Sequence, residues 1–502
     1  MSGSIGGKDE LLGIWTVSVF TGALRHLREG AFGAKASPDG LQIAYLDPVK
    51  DEIWLMGSNG DDPRRLLIAE KGSSFVRPCG RLEFSPDGRH LTYIKYVHDR
   101  YPQKVSFESL DLKDGKTTNV FSAPLLWDFC WRPDGRIIYS QWEAFPHQDN
   151  QNFWEIKTDP RTGRATDSPR RLSNWAGLEL LSPFNLSATG KRLAFVKSRF
   201  GSDVYVSELK KNENGLLLPR RVTLDERWDR HASWSGDSKA IYFSSNRKGT
   251  FDIYTQGKDE LTAKEAVTGP EDEEKPQLSP DGSWLLYLSY PYPRMPVGTP
   301  PRPCRLMRMP VDGGPTQIVF NLGQPDRPWI TQDTPDFRCP TQSVAPCVLS
   351  ETGPENDQIV FSAFDAATTR KQEIAKLWRK PGYQFSWDLS PEGSRLAYCR
   401  MESDSFKINV LKLTGGPTRE ILVRGWTQCQ FLTWSMDGKG WFAGSYSNKG
   451  GSMLYVGTNG EAHFLQKSDQ WYDGARPSPD GRYLTYTERK IDSNAWMVDD
   501  LP

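Results

Sequence analysis

The stretch Leu278–Tyr287 reads LSPDGSWLLY, and variants of it recur along most of the chain. Its first half has the residues of a tight turn, because Ser279 can bond back to the turn backbone and Gly282 accepts a positive φ. Leu285 and Tyr287 follow three and five residues after the glycine, so they lie on one face of a strand. The stretch therefore predicts a hairpin corner followed by a half-buried strand.

Nine copies of this turn are visible in the sequence. Their fourth residues are 43 to 55 residues apart, except for one interval of 111 that spans two periods. The copies are Ser37–Gly40, Ser85–Gly88, Arg132–Gly135, Ser187–Gly190, Ser235–Ser238, Ser279–Gly282, Ser390–Gly393, Ser435–Gly438 and Ser478–Gly481. One further copy is predicted to have lost its turn but kept its strand, at Gln358–Ser362.

Each unit continues with a third strand and a short fourth one, as in Phe251–Gly257 and Arg419–Val423. Four short strands in about 45 residues are typical of a propeller blade. The sequence therefore predicts an all-β protein, a β-propeller of about ten four-stranded repeats. Because one ring usually has four to eight blades, we expect two rings, or one ring with an appended partial array.

The repeats suggest a division of the chain into three regions. Residues 1–290 are propeller repeats, and residues 355–502 are further repeats. Residues 291–354 are irregular and rich in proline, which predicts long loops between blades, with a degenerate repeat beginning near the end of the region. The array starts in the middle of a blade, so either the strand Leu24–Arg28 pairs beside Asn494–Val498 to close a ring, or the chain is a piece of a longer protein.

Composition and charge exclude some classes of function. Lys plus Arg equals Asp plus Glu, at 63 each, so no overall basicity favours nucleic-acid binding. No apolar run approaches the ~18 residues of a membrane span. Acidic Asp9 and Glu10 lie where an export signal needs a basic start. We expect a cytoplasmic location for the chain as written, and a periplasmic one if it is a fragment of a membrane-anchored regulator.

Two further features have structural interpretations. Seven cysteines without a CxxC pair do not suggest a disulfide framework; Cys339 and Cys347 are near enough to pair, but two buried thiols are the favoured interpretation. The acidic run Glu271–Glu274 is interpreted as a solvated loop, with a calcium site as the alternative.

Motifs for catalysis are missing from the sequence. It contains no GxSxG nucleophile elbow, no HExxH zinc motif and no phosphate-binding glycine loop. Ligands from different blades can still converge on a metal at a channel mouth, and His147 and His231 are the first candidates for such a role. We favour a structural role for both, and we predict no metal, no cofactor and no catalytic residue.

Aromatic residues recur just before the inner strands, on the face opposite the turns. Trp228, Tyr383 and Trp471 lie ten residues before the fourth turn residue, Trp426 lies twelve before it and Trp127 eight. Equivalent loops of a propeller encircle the channel mouth, so these residues could form an aromatic collar for protein or peptide recognition. Three neighbours belong to the same candidate binding set, Asp229, Arg230 and Tyr472. The alternative is that each ring covers the apolar edge of its own blade.

The aspartate at the third turn position recurs in most repeats. Its copies are Asp39, Asp87, Asp134, Asp237, Asp281, Asp437 and Asp480. A residue repeated in every blade serves the blade, whereas one active site needs a residue found in one unit only. These aspartates are therefore predicted to be structural.

The phrase WSGDSKAIYFSSNRKGTFDIYT, Trp234–Thr255, closely resembles the WD40-like (PD40) repeat of TolB-like propellers and of propellers in the prolyl oligopeptidase and dipeptidyl peptidase clan. The resemblance covers residues 36–498. It also extends to the propeller regions of bacterial multidomain regulators. Such blades serve unrelated tasks, so the resemblance implies a propeller and not one activity.

We therefore expect a non-catalytic β-propeller that binds a protein or peptide, either as a scaffold or as the sensory region of a larger bacterial regulator. Two alternatives stay open. One is a propeller-type hydrolase or lyase, and the other is the gating propeller of a peptidase whose catalytic domain is outside this chain.

Overall fold

The repeated turns join the first two strands of successive antiparallel sheets in the computed structural model of the chain. The structure describes residues 2–3, 13–76, 80–97, 104–143, 150–159, 162–176, 179–210, 215–225, 227–290, 304–322, 335–353, 358–378, 385–401, 405–447 and 450–499. Its regular elements within these ranges are 41 β-strands. None of the described residues forms a helix with the length and apolar character needed to cross a bilayer. The all-β prediction is confirmed.

Each turn is held by its own side chains. In one of them, the Ser279 hydroxyl donates to Asp281 Oδ1 at 2.5 Å and accepts a hydrogen bond from the Trp284 amide at 2.9 Å. Gly282 has a φ of 72°, a conformation that glycine adopts without strain. Ser238 occupies the same position of its own turn with a φ of 61°. The turn is therefore a defined hydrogen-bonded corner, which fixes the register of the two strands that it joins.

The aspartates of the repeated turns accept hydrogen bonds inside those turns. Six of them accept one from the serine hydroxyl two residues earlier, at 2.5 to 2.7 Å. These six are Asp39, Asp87, Asp237, Asp281, Asp437 and Asp480. Asp134, whose turn begins with arginine, accepts from the Arg136 amide at 3.2 Å.

The chain divides into two compact units. Unit 1 comprises Met1–Arg199, Arg294–Thr299 and Asp492–Pro502, and unit 2 comprises Phe200–Pro293 and Pro300–Ile491. These boundaries differ from the predicted ones at 290 and 354. Strands late in the chain complete sheets that begin early in it, so the units are not consecutive blocks of sequence.

Unit 1 contains five antiparallel sheets. The first is β1 (Ser2–Gly3), β2 (Gly13–Val17) and β3 (Leu24–Glu29). The second is β4 (Phe32–Ala36), β5 (Gln42–Asp47), β6 (Glu52–Gly57) and β7 (Arg64–Ile68). The third is β8 (Ser73–Ser74), β9 (Leu82–Phe84), β10 (His90–Val97), β11 (Lys104–Asp111) and β12 (Thr117–Pro124). The fourth is β13 (Leu126–Trp131), β14 (Arg136–Trp142), β15 (Gln151–Lys157) and β16 (Arg170–Arg171). The fifth is β17 (Glu179–Leu186) with residues 193–199 of β18 (Leu193–Glu208) and residues 492–498 of β41 (Tyr483–Val498).

Unit 2 contains five four-stranded sheets and four strands of a five-stranded sheet. One combines β40 (Tyr472–Pro477), residues 483–491 of β41, residues 200–208 of β18 and β19 (Arg220–Arg221). The next two are β20 (Asp229–Trp234), β21 (Ala240–Ser245), β22 (Asp252–Gly257) and β23 (Lys264–Val267), then β24 (Asp272–Leu278), β25 (Trp284–Tyr290), β26 (Arg305–Pro310) and β27 (Gln317–Asn321). The fourth is β28 (Asp336–Arg338), β29 (Cys347–Thr352), β30 (Gln358–Phe364) and β31 (Lys371–Trp378). The last two are β32 (Ser386–Leu389), β33 (Arg395–Met401), β34 (Ser405–Lys412) and β35 (Arg419–Arg424), then β36 (Phe431–Trp434), β37 (Gly440–Ser447), β38 (Gly450–Gly457) and β39 (Ala462–Ser468).

The six sheets of unit 2 close into a ring. Their first strands, β20, β24, β28, β32, β36 and β40, all line one central cavity. The last of these strands adjoins the first, because Trp234 Nε1 of β20 donates to the Arg476 carbonyl of β40 at 3.0 Å. The sheet of β40, β41, β18 and β19 joins the two ends of the unit, which removes the open edge that a row of blades would leave. Unit 2 is a six-bladed β-propeller.

Apolar side chains fill the spaces between neighbouring blades. One of these cores packs Ile408 of one blade against Leu432 and Trp441 of the next, and another packs Leu288 against Leu349. All five side chains are almost completely buried. A single blade would leave these faces in water, so stacking the blades is what stabilises the repeat.

The blade without the repeated turn corrects three expectations. Gln358–Phe364 is its third strand and not its second, because Cys347–Thr352 takes the second place. Asp336–Arg338 is its innermost strand, although the sequence predicted a long loop there. Cys339 and Cys347 form a disulfide with Cα atoms 4.2 Å apart, where two free thiols were expected. This bond ties together the β28–β29 connection, which lacks the hydrogen-bonded turn of the other blades.

A second disulfide joins Cys399 and Cys429, a pair that no sequence pattern indicated. The expected pairing of the first and last strands is also wrong for the described residues. Leu24–Arg28 belongs to β3, which pairs with β2, whereas Asn494–Val498 belongs to β41, which lies beside β18.

Candidate functional site

The candidate site is the central cavity of unit 2, which the first strands of all six blades line. Its volume is about 280 Å³, close to the lower end of the ~300–1,000 Å³ range of ligand pockets. Each of the six first strands contributes at least one polar or charged residue to its lining. Examples in strand order are His231, Lys275, Arg338, Asp388, Thr433 and Arg476.

The turns determine which residues face this cavity. In five blades, the residue five positions before the fourth turn residue lines it, and these residues are Ser233, Gln277, Asp388, Thr433 and Arg476. Alternation along the strand sends the flanking side chains into the cores between blades. The sequence reasoning missed this set. Its signal was a polar residue at one fixed distance from each turn.

A network of charges crosses the cavity wall around Asp388. Its Oδ1 lies 3.0 Å from Arg338 Nε and 2.8 Å from Arg476 Nη1. Its Oδ2 accepts a hydrogen bond from the Trp434 amide at 2.9 Å. One buried carboxylate of β32 therefore binds guanidinium groups from two other blades and holds the backbone of a third.

Asp336 extends the network to the next blade. Its Oδ1 lies 2.7 Å from Arg338 Nη1 and 3.5 Å from Lys275 Nζ. Burial alone would raise the pKa of Asp336, but the positive charges of Arg338 and Lys275 outweigh burial and lower that pKa to about 2. The carboxylate is therefore ionised at neutral pH.

The two arginines of the network are compensated to different degrees. Burial lowers the pKa of Arg338, but Asp336 and Asp388 outweigh it, so the net shift is upwards. The pKa of Arg476 is lowered instead, first by burial and then by the neighbouring Arg338 cation. Among the described residues, the side chain of Arg476 has Asp388 as its hydrogen-bond partner and shares it with Arg338. Arg476 is thus the cation whose charge the protein compensates less completely.

Two of the lining residues have strained backbones. His231 has a φ of 56° and Lys275 a φ of 57°, values that non-glycine residues rarely adopt. Each lies at a β-bulge, where the pairing of β20 with β21 or of β24 with β25 shifts register. Such a conformation costs about 1–3 kcal/mol and concentrates at functional sites. A bulge redirects a side chain, and both of these residues line the cavity.

His231 lies beside a neighbouring carboxylate. Its Nδ1 lies 3.2 Å from Glu274 Oε2, and Arg230 Nη2 lies 2.6 Å from the other oxygen. Burial lowers the pKa of His231, which is therefore neutral at pH 7. Burial alone would raise the pKa of Glu274, but Arg230 and His231 outweigh it and lower that pKa to about 2. The expectation of a solvated loop at Glu271–Glu274 is wrong, because Glu271, Glu273 and Glu274 are all buried.

The tryptophans proposed for the aromatic collar are half-buried and lie against other protein groups. Trp228 donates its backbone amide to Asn246 Oδ1 at 3.0 Å. Trp426 packs against the apolar core of its blade, and the Trp471 ring lies 4.4 Å from that of Tyr446. These three belong to unit 2.

The remaining members of the collar set are dispersed. Trp127 belongs to unit 1 and lies edge-on to Trp142, with ring centroids 6.4 Å apart. Asp229 and Tyr472 are 0% and 1% exposed, so neither presents its side chain to solvent. Arg230 is engaged with Glu274. Tyr383 and the candidate metal ligand His147 fall outside the described residues.

The described residues include no group of three or more His, Cys, Asp or Glu side chains placed to hold a metal ion. The cavity lining consists instead of a charged network, neutral polar side chains and aromatic rings. Such a surface can donate and accept hydrogen bonds and can bind groups of either charge.

No family profile matches the sequence, and no curated protein matches it. Solved structures do resemble it. An oligogalacturonate lyase from Vibrio parahaemolyticus is 13% identical, with 72% of this chain and 82% of the lyase covered and a TM-score of 0.27. TolB from Acinetobacter baumannii is 13% identical, with 79% and 64% covered and a TM-score of 0.21. The tricorn protease is 11% identical over 94% of this chain and 49% of its own, with a TM-score of 0.25.

At such identities these likenesses concern the fold alone, and they carry no information about what this chain binds or converts. The assignment of the blades depends on the strand pairings and turns of this chain, and not on these similarities. The chain is a multi-bladed β-propeller protein, and TolB and hydrolase propellers are among the solved structures that it resembles.

Proposed function

We propose that unit 2 binds a protein or peptide segment in its central cavity and does not catalyse a reaction on it. The protein would act as a scaffold or as the sensory region of a larger bacterial regulator. One observation carries the proposal, namely that six blades direct a mixed set of cations, carboxylates and neutral polar groups into one cavity of about 280 Å³.

A peptide matches this lining better than a ligand of one charge. Its backbone presents alternating N–H donors and C=O acceptors, and Gln277, Thr433 and Thr485 on the wall can meet both. Its charged side chains or termini can be met by Arg476 or by Asp473. Prolines of the repeated turns, such as Pro391, also line the cavity and give an apolar surface for side chains.

We propose the aromatic collar as a second contact region for the same peptide. Trp228 and Trp471 lie three and two residues before the lining residues His231 and Asp473. Half-buried aromatic rings beside a polar site are typical anchors in protein recognition. Their packing against their own blades supports the alternative, in which they protect blade edges.

The alternative functions make a different chemical prediction. A propeller-type hydrolase or lyase, or a gating propeller of a peptidase, would convert or pass on its ligand. His231 is the residue to test for such a role, because a distance of 3.2 Å between its Nδ1 and Glu274 Oε2 is the kind of contact that orients a catalytic imidazole.

The test is to select ligands from a random peptide library on the immobilised full chain and to titrate the winners by calorimetry. We expect Arg476→Gln to weaken binding at least tenfold. Arg482→Gln is the matched control, because Arg482 lies in the same blade with a side chain that is 65% exposed. If both variants bind like the parent protein, the cavity is not the site.

Two further experiments test the aromatic collar and the catalytic alternative separately. Trp228→Ala, Trp426→Ala and Trp471→Ala should weaken binding only if the rings contact the peptide, and an unchanged affinity in folded variants removes the collar from the proposal. Mass spectrometry of the peptide after long incubation should show it intact. A cleaved product that disappears in Arg476→Gln would contradict the non-catalytic assignment.

A further inference from the structure

The fifth sheet of unit 1 lacks an outermost strand in the described part of the chain. Its first, second and third places are taken by β17, residues 193–199 of β18 and residues 492–498 of β41. The blades of β4–β7 and β13–β16 in the same unit have a fourth strand beside the third. Residues 492–498 therefore end the sheet with unpaired backbone groups, and we refer to them as the open edge.

The open edge is far more exposed than the other third strands. All residues of Asp492–Met497 are exposed, with Trp496 and Met497 at 51% and 58%. Most residues of the equivalent strands β6 and β15 are buried. The open edge thus presents two large apolar side chains that a further strand would partly cover.

The sequence of the open edge does not protect it from pairing. Edge strands of monomeric proteins usually carry a charged residue or a proline that prevents another strand from adding. Ser493–Val498 reads SNAWMV and contains neither. A short, uncharged strand without proline pairs readily with another strand, so this composition is typical of a strand that is covered.

Three other blades show which fourth strand suits such a third strand. The segment Pro-Arg-Arg followed by Leu or Val occurs three times in the chain, and its arginines each time belong to a fourth strand. In each blade the second arginine is the register partner of an aromatic residue in the third strand. These pairs are Arg65 with Trp54, Arg171 with Trp154 and Arg221 with Tyr205. The chain thus repeatedly places arginine beside an aromatic ring of a third strand.

The open edge resembles one of these third strands, β15. Asn152–Trp154 and Asn494–Trp496 each place an asparagine two residues before a tryptophan. Two residues later, β15 has Ile156 and the open edge has Val498. Both of these apolar residues belong to cores between blades. The fourth strand beside β15 is therefore the template for what the open edge can bind.

The segment that pairs with β15 contacts both its asparagine and its tryptophan. The Ser173 hydroxyl donates to Asn152 Oδ1 at 2.8 Å. Arg171 lies over the Trp154 ring, 5.7 Å from its centroid. The open edge offers an added strand the same two groups at the same spacing.

The charges around the open edge favour a basic strand. Asp492 is its first residue and Asp499 follows its last, and both are exposed. Asp499 pairs with Arg192 at 2.8 Å in a solvent-exposed contact. Lys197 of β18 lies 4.8 Å from the centroid of the Trp496 ring, so this ring accommodates a cation. Acidic ends and a cation-binding ring are complementary to arginine.

We propose that the open edge binds an extended Pro-Arg-Arg-Leu segment of a different protein as an antiparallel fourth strand. The first arginine of the segment lies beside Met497, the second beside Trp496 and the leucine beside Ala495. A serine after the leucine donates to Asn494. The three Pro-Arg-Arg segments of this chain are paired within their own blades, so a second copy does not supply the strand. The site is independent of peptide binding in the central cavity of unit 2.

The test titrates a fluorescent peptide with the sequence of residues 168–174, Ser-Pro-Arg-Arg-Leu-Ser-Asn, into the full chain. Fluorescence anisotropy should show saturable binding. A peptide with the reversed sequence, and one in which both arginines are replaced by serine, should each bind at least tenfold more weakly. Hydrogen exchange of the backbone amides in residues 492–498 should slow in the complex, because strand pairing uses the amides that face the open edge.

A change at an exposed residue keeps the test independent of folding. Trp496→Ala should weaken peptide binding at least fivefold. Trp378→Ala is the matched control, since Trp378 is 70% exposed and lies at the end of β31 in unit 2. Arg476→Gln, which tests the central cavity, should leave this binding unchanged. Equal affinities for the peptide and its reversed sequence, or equal affinities of the Trp496 and Trp378 variants, would overturn the proposal.

Sedimentation velocity tests the other possible occupant, a second copy of the chain. The parent protein and Trp496→Ala should sediment with the same mass. A dimer of the parent protein that Trp496→Ala dissociates would mean that a second copy covers the open edge, and would overturn the assignment to a different protein.

Discussion

The two units use a buried arginine in opposite ways. In unit 1, Arg81 lies 2.6 Å from Glu83 and 3.2 Å from Asp128, and it also donates to the carbonyls of Phe129 and Phe184. These partners come from β9, β13 and β17, so one side chain ties three inner strands together. The cation is fully used by the protein itself.

In unit 2, Arg476 has one hydrogen-bond partner among the described residues, Asp388, and lies on the wall of the central cavity. Residue type therefore does not distinguish a structural arginine from one that can bind a ligand. The two are distinguished by the number of protein groups that accept hydrogen bonds from the guanidinium. Unit 1 uses its arginine for cohesion, whereas unit 2 leaves hydrogen-bonding capacity towards an open space.

The largest effect in this comparison is expected for Arg81→Ala. The change removes the Arg81 cation from the buried Asp128, while Glu83 keeps Lys35 at 2.8 Å, and breaking a buried pair costs about 3–5 kcal/mol. Urea unfolding followed by hydrogen exchange of β9, β13 and β17 would measure the loss. Arg89→Ala is the control, since Arg89 is 50% exposed and pairs with Asp111 at the surface, and about 0–1 kcal/mol is expected there. Similar losses in both variants would show that Arg81 is not a structural centre.

A second test asks whether unit 2 also tolerates buried carboxylates without a cation. Glu273 Oε2 is buried with no partner among the described residues, and burial raises the pKa of Glu273 from 4.5 to about 8. Because this pKa lies above that of the unfolded chain, its contribution to stability is full below pH 4.5 and is lost as the pH rises to about 8.

Glu273→Gln should therefore raise the free energy of unfolding of unit 2 at pH 9 by about 3 kcal/mol. At pH 4 it should change that free energy little. Thermal unfolding at the two pH values measures the difference. Glu265→Gln, an exposed carboxylate at 46%, should show no such dependence. A parent protein whose stability does not fall between pH 5 and 8 would contradict the burial argument.

The turns should behave alike in both units. Ser85 and Ser279 each donate to the turn aspartate at 2.5 Å and accept from the backbone at 2.9 Å. Ser85→Ala and Ser279→Ala should each cost about 1–2 kcal/mol, because each leaves a buried amide without its acceptor. Chemical denaturation measures both values. A large difference between them would mean that the units diverge in their blades and not only at their centres.

The smallest effect on stability is expected for Arg476→Gln. Asp388 keeps Arg338 at 3.0 Å and the Trp434 amide at 2.9 Å, so no buried carboxylate loses its last cation, and the loss should be about 1 kcal/mol, the net contribution of one hydrogen bond. The same variant is expected to lose peptide binding. A loss as large as that of Arg81→Ala would remove the contrast between the two arginines.

The sequence predicted what is repeated and missed what occurs once. The turns, the apolar pairs after them and the four-stranded blade follow from residues at fixed spacing, such as Gly282 and Tyr287. The blade of β28–β31 was misplaced because a disulfide at Cys339 replaces its turn. The closing sheet was also missed, because it pairs strands from the two ends of unit 2, and such distant pairing leaves no local pattern in the sequence.

The candidate site was harder to predict for a related reason. His231 and Lys275 reach the cavity through bulges, which break the alternation that the sequence reasoning relies on. Arg476 and Asp388 did carry a signal, their fixed distance from the turn. This signal belongs to no catalytic motif and to no aromatic pattern, so motifs and aromatic spacing do not reveal it.

The sheet that closes unit 2 takes its two outer strands from the start of the unit and its two inner strands, within Tyr472–Ile491, from the end. A ribosome releases the second pair long after the first. Until then the other five blades form an open arc, and the free edge of β18 is exposed to chaperones and to other nascent chains. Ring closure in unit 2 therefore waits until Tyr472–Ile491 has been synthesised, and a stop codon just before Tyr472 would leave most of the blades without a ring.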